Sequence, residues 1–176
     1  ATASSGATIT GLNVAGGSLN YDPDSTSAFE YLAAGETATD TITYTIEDSH
    51  GAPSTSSVSV TITGTNDTPE ANLDTGSTTD DANLTIDVLA NDTDVDSSDT
   101  HSVVEVSVTA GLGSASVVNN QVVYDPCAYL IMVQGETALV ILTYTMSDTG
   151  AVNNNVLDPG NADLTSNVVT TVTGTN

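Results

Sequence analysis

Five aspartates fall within the thirteen residues from Asp87 to Asp99, and three of them, Asp92, Asp94 and Asp96, stand at alternate positions. Carboxylates spaced by two along a loop can turn several oxygens toward one centre, as a hard cation with six to eight oxygen ligands requires. Without a cation they repel: two like charges about 4 Å apart cost about 1 kcal/mol at the dielectric of water and about 4 kcal/mol at an effective dielectric near 20. Calcium fits this chemistry best. The plain structural alternative is a solvated turn, because Asp and Asn hydrogen-bond their own backbone. The helix-flanked, twelve-residue calcium loop does not fit. Counted from Asp94 its twelfth position is Glu105, but its sixth is Asp99 where glycine is needed; counted from Asp92 the twelfth is Val103.

Other chemistry is thinly represented. His50 and His101 are the only residues of a type suited to act as a base near neutral pH, and both stand in polar, turn-like surroundings. No G-x-S-x-G elbow, H-E-x-x-H helix, paired-cysteine zinc spacing or glycine-rich phosphate loop is present. Paired carboxylates are so abundant that they carry no glycosidase signal. The chain is therefore expected not to be an enzyme. Asn66, Asn83 and Asn91 satisfy N-x-T, a pattern that chance supplies in a threonine-rich chain.

The charge is one-sided. With no Lys or Arg against 23 Asp and Glu, the formal charge is −23. Phosphate binding by proteins depends on cationic side chains that release counterions, so nucleic acid is excluded as a partner and an anionic membrane surface is disfavoured. Self-repulsion on this scale again points to a divalent cation. High charge with few aromatics is also a signature of disorder, but 38% of the residues are hydrophobic and many alternate with Thr or Ser, as an unfolded tail has no need to do. The single Cys127 can form no internal disulfide, and no stretch resembles a signal peptide or a membrane-spanning helix.

The elements that must position these groups occur twice. Tyr21-Asp22-Pro23, Gly35-Glu36-Thr37-Ala38, Thr43-Tyr44-Thr45, Asp48 and Thr63-Gly64-Thr65-Asn66 recur as Tyr124-Asp125-Pro126, Gly135-Glu136-Thr137-Ala138, Thr143-Tyr144-Thr145, Asp148 and Thr173-Gly174-Thr175-Asn176. A period of roughly 100 residues fits one small domain per repeat. Residues 1–66 align only with the later part of the second copy, so they are expected to be the C-terminal part of one repeat, with 67–176 a complete one.

Ile42, Tyr44 and Ile46 alternate with threonines, as do Val58, Val60 and Ile62, and Leu142, Tyr144, Met146 and Val168, Thr170, Val172 repeat the pattern. Such alternation marks half-buried strands. Further strands are predicted at 84–89, 103–108, 114–118 and 121–124, with a short opening strand at 71–74 and no helix. About seven strands per repeat predict an all-β fold of tandem Greek-key sandwiches, the first incomplete at its N-terminus. If the strands run back and forth, the 91–96 loop, the linker Asn66-Asp67-Thr68-Pro69 and Asp148 reach one pole of the second repeat. Asp22 and Glu36 reach the facing pole of the first.

Gly35-Glu36-Thr37, the run from Tyr44 to Gly51, the run from Val60 to Asp67, and Val88-Leu89-Ala90-Asn91-Asp92-Thr93-Asp94-Val95-Asp96 resemble VCBS and bacterial cadherin-like repeats. The resemblance covers nearly the whole chain. It implies Ig-like sandwiches with calcium at the domain junctions, in the stalks of large secreted bacterial adhesins of the RTX type. On this reading the metal ligands are Glu36, Asn66, Asp67, Asp92, Asp94, Asp96 and Asp148, with Asp22, Asp48, Asp99 and Glu136 as further candidates. The expected partners are neighbouring repeats of the same chain or neighbouring subunits of a fibre, outside the cell or on its surface. A self-assembling filament completed by strand exchange and a carbohydrate-binding module are the rival readings; the second lacks an aromatic platform, with no Trp and one Phe. The second copy departs from the first at Cys127–Met132 and in an insertion of about ten residues that includes Asn153 to Gly160.

Overall fold

The computed structural model describes residues 1–3, 13–15, 18–148 and 164–175. The chain divides into two compact units, Ala1–Asn66 with Val95–Ser98, and Asp67–Asp94 with Asp99–Asn176. The 153–160 insertion lies outside the described residues.

The first unit holds β1 (Thr2–Ala3), β2 (Asn13–Ala15), β3 (Ser18–Asn20), β4 (Thr37–Glu47) and β5 (Pro53–Thr63). β1, β4 and β5 form one antiparallel sheet in that order, and β2 pairs with β3 in a separate hairpin. The second unit holds β6 (Asp74–Thr79), β7 (Leu84–Ile86), β8 (His101–Ala110), β9 (Ser114–Val118), β10 (Gln121–Asp125), β11 (Thr137–Asp148) and β12 (Leu164–Thr173). Its strands make a β-sandwich: a four-stranded sheet in the order β6-β12-β11-β8 and a three-stranded sheet in the order β7-β10-β9. Leu142, Tyr144, Met146, Val168 and Val172 from one sheet and Val122 and Tyr124 from the other are wholly buried in one core, with Val88 between the elements that bound it. The alternation of apolar and threonine residues thus places one face of each strand inward.

The opening strand differs from its expected position. It runs over Asp74–Thr79 rather than 71–74, pairing in parallel with β12 from Val168↔Asp74 to Thr173↔Thr79. Its sequence, Asp-Thr-Gly-Ser-Thr-Thr, contains no large apolar residue, so backbone pairing rather than side-chain burial holds it. The second strand is also shorter than the expected 84–89. The only helical segments among the described residues are single 3-10 turns at Pro23–Ser25 and Cys127–Tyr129. Cys127 is exposed, and the neighbouring Asp125 carboxylate holds its thiol above the usual range.

The repeated motifs have a local structural role. The Gly35 N–H donates to the Gly64 carbonyl and the Gly64 N–H to the Glu36 carbonyl, and Gly135, Gly174 and Glu136 make the same exchange. A side chain at Gly64 or Gly174 would collide with the backbone of Leu32–Ala33 or of Val133, so only glycine closes this clasp. Glu36 Oε2 accepts from the Ala33 N–H at 3.2 Å, and Glu136 Oε2 accepts from the Val133 N–H at 2.9 Å.

Candidate functional site

In the second unit the last residue of β11 meets the first residue of β8: Asp148 and His101 are direct register partners. Asp94, from the acidic loop, completes a group in which one ligand atom from each of Asp94, His101 and Asp148 lies within 4.8 Å of the others. His101 Nε2 stands 2.9 Å from Asp94 Oδ2. Asp148 is 4% exposed, so its carboxylate has lost most of its water. Two carboxylates this close and this shielded repel more strongly than they would in solvent.

His101 and the acidic loop are each held by neighbouring groups. The Asn120 side chain accepts from the Val103 N–H at 2.6 Å and donates to the His101 carbonyl at 3.1 Å, which fixes the start of β8. Asn119 and Asn120 both have positive φ, the conformation a tight hairpin between β9 and β10 requires and asparagine tolerates. The acidic loop is strapped to the segment that precedes β6. Glu70 and Thr93 exchange backbone hydrogen bonds of 2.7 and 3.1 Å, the Asn72 amide donates to the Asn91 carbonyl, and the Asn91 amide donates to the Leu73 carbonyl.

Asp92 belongs to this strap. Its Oδ1 accepts from the Asn72 N–H at 2.7 Å, and its Oδ2 accepts from the Tyr144 hydroxyl at 3.2 Å. Among the described His, Cys, Asp and Glu side chains it does not join the Asp94–His101–Asp148 group. The remaining sequence candidates are distributed as follows. Asp96 and Asn66 are buried, and Asp67 and Asp99 are half-buried. Asp22 caps the 3-10 turn at Pro23, accepting from the Asp24 N–H. Glu36 and Glu136 close the turns described above. Asp48 is exposed and accepts from the Ala52 and His50 N–H groups, which hold its carboxyl below the usual range. Asp48 and Asp148 occupy the same motif position, yet one caps a hairpin turn in solvent and the other is buried beside His101.

His101 was not a sequence candidate. The readable signal was its strand register: a β8 that begins two residues before Val103 sets His101 opposite Asp148. His50, by contrast, lies in an exposed turn with Nδ1 3.2 Å from Ser49 Oγ.

A second carboxylate is perturbed beneath the loop. Burial pushes the Asp74 carboxyl up to about 6, the negative charge of Asp92 adds to the rise, and the Tyr144 hydroxyl partly opposes it. A folded-state value raised above the unfolded one near 3.9 gives a contribution that is complete below about pH 4 and lost as pH climbs through about 6. Asp74→Asn is therefore expected to gain stability over the wild type progressively between those values in chelator-containing buffer. Urea unfolding of both proteins across the range measures it, and a difference that stays constant with pH would refute the assignment.

No helix among the described residues is long and apolar enough to cross a membrane. A family model described as Bacterial Ig domain matches residues 1–61 and 66–158. Among solved structures the chain is similar to a protocadherin gammaB7 EC3-6 cis-dimer, at 18% identity and a TM-score of 0.38. That match covers 80% of this chain, which spans 33% of the length of the other. The comparison with curated proteins returns no match.

Proposed function

The chain belongs to the bacterial Ig domain family, and from that premise we propose that it is a non-enzymatic, calcium-binding segment of an extracellular stalk, of the adhesin type that VCBS and cadherin-like repeats build. The observation that carries the reading is the convergence of the Asp94 and Asp148 carboxylates in a chain with no Lys or Arg to neutralise them. The donor set suits calcium, which takes carboxylate, carbonyl and water oxygens in flexible geometry. His101 nitrogen is a poor calcium ligand; its role is to orient Asp94 through the 2.9 Å contact. Asp67, which belongs to the same unit as Asp94 and Asp148, is the further donor we assign. The bound ion supplies the positive charge that lets these carboxylates share one site, and so orders the acidic loop and the linker.

This reading is tested by Asp94→Ala. Its carboxylate is in no core strand, so both units should remain folded while the calcium response of the linker is lost. Small-angle scattering should show calcium-saturated wild type more extended than chelated wild type, with the variant resembling the chelated form in either buffer. A variant that extends in calcium as fully as wild type would mean that Asp94 only forms a turn.

A further inference from the structure

The strand ribbons of the two units share a register, but among the described residues the first unit has no strand at the places that β6 and β7 take in the second. Thr37↔Thr63 and Ile42↔Val58 in the β4–β5 ribbon match Thr137↔Thr173 and Leu142↔Val168 in the β11–β12 ribbon. β1 sits on β4, with Ala3↔Ile42, where β8 sits on β11, with Val108↔Leu142. Tyr21, after β3, holds the motif position that Tyr124 holds in β10. In the second unit β12 has β6 along its other side, and β10 has β7 along its other side. Among the described strands of the first unit, β5 pairs with β4 alone and β3 with β2 alone.

The first unit has an apolar groove of about 480 Å³, lined by Leu19 of β3, Tyr21, Ile42 and Tyr44 of β4, and Val58 and Val60 of β5. Val58 is 39% exposed there, whereas its counterpart Val168 is fully buried. The second unit shows what fills such a groove. Leu84 pairs with Tyr124 and Ile86 with Val122, their side chains reach Gly76 of β6, and Val88 is wholly buried with its carbonyl on the Tyr144 hydroxyl. A Cβ at Gly76 would lie 2.7 Å from Leu84 Cδ2, so the two arms of the filling segment pack closely at that point.

We propose that the groove of the first unit is a strand-acceptor site. Its occupant is the opening strand-turn-strand segment of a further bacterial Ig repeat, a polypeptide of the Asp74–Val88 kind arriving from outside residues 1–176. One arm adds in parallel to β5 and the other antiparallel to β3. Backbone hydrogen bonds to the two edges hold it, and a pair of aliphatic residues spaced by two enters the groove. A second copy of this chain is the less suited donor, because its own Asp74–Val88 already fills its second unit. The site involves no calcium ligand and stands or falls separately from the proposed metal centre.

The test uses the whole chain in chelator with about 0.5 M salt, which screens the like charges beyond a few ångströms, and a synthetic peptide of sequence Asp74–Val88. The expected result is saturable binding, with chemical-shift changes at Ile42, Tyr44, Val58 and Val60, and binding weakened at least roughly tenfold by a peptide carrying Leu84→Asp and Ile86→Asp. Equal binding of the two peptides, no binding, or shifts confined to Tyr144 and Val168 would overturn the site. Concentration-dependent dimers of the unaided chain that the peptide dissociates would overturn the source and make a second copy the donor.

Discussion

Calcium should raise the melting temperature of this chain by on the order of 10–20 °C when present at about 100 times its dissociation constant. The figure follows from mass action: an ion that binds only the folded state at that ratio contributes about 2.7 kcal/mol, and a domain of about 100 residues shifts by about 4–8 °C per kcal/mol. Extracellular calcium modules bind at roughly 10⁻⁴ to 10⁻³ M, so the effect should approach its full size at tens of millimolar. Magnesium should do much less, because it demands a small regular octahedron and dehydrates reluctantly. Asp148→Asn should abolish most of the calcium increment. Differential scanning calorimetry in calcium, magnesium and chelator reads all three, and identical melting in calcium and in chelator would contradict the metal assignment.

The second large effect separates the two repeats. Tyr144 is wholly buried, and its hydroxyl reaches the Val88 carbonyl and Asp92 at 3.2 Å each. Tyr144→Ala should cost about 3–5 kcal/mol, as truncating a large core aromatic does. Tyr44 holds the same motif position but is half-buried and lines the open groove. Since the hydrophobic contribution scales with area removed from water, Tyr44→Ala should cost about 1–2 kcal/mol. Amide exchange under increasing urea, read at β11 and β4 respectively, resolves the two units. Equal losses would mean that the first unit is as fully packed as the second.

Much of this architecture could be read in the chain itself, where side-chain pattern and burial coincide. The alternation at Leu142, Tyr144 and Met146 marks a strand, and all three are 0% exposed. β6 was misplaced because Asp74–Thr79 has no apolar stripe to betray it; its pairing with β12 is a matter of backbone and of Gly76. The meeting of Asp94 and Asp148 follows from counting strands, which brings the loop after β7 and the end of β11 to the same pole. The partition of the acidic loop was not legible. Asp92 and Asp94 have the same residue type and alternate spacing, but the Asn72 N–H and Tyr144 hydroxyl that engage Asp92 come from elsewhere in the fold. Likewise the Gly-Glu-Thr and Thr-Gly-Thr repeats carry a backbone clasp that spacing alone does not distinguish from a ligand set.

Direct calcium titration of the chelator-stripped chain by calorimetry tests the central claim most closely, with wild type set against the Asp94→Asn, Asp148→Asn double variant. Each substitution keeps the side-chain shape and removes one charge. The wild type should bind calcium saturably in the 10⁻⁴ to 10⁻³ M range typical of extracellular modules, and the double variant should lose that binding while remaining folded. A folded double variant that binds calcium as the wild type does, or a wild type that binds none, would contradict the account.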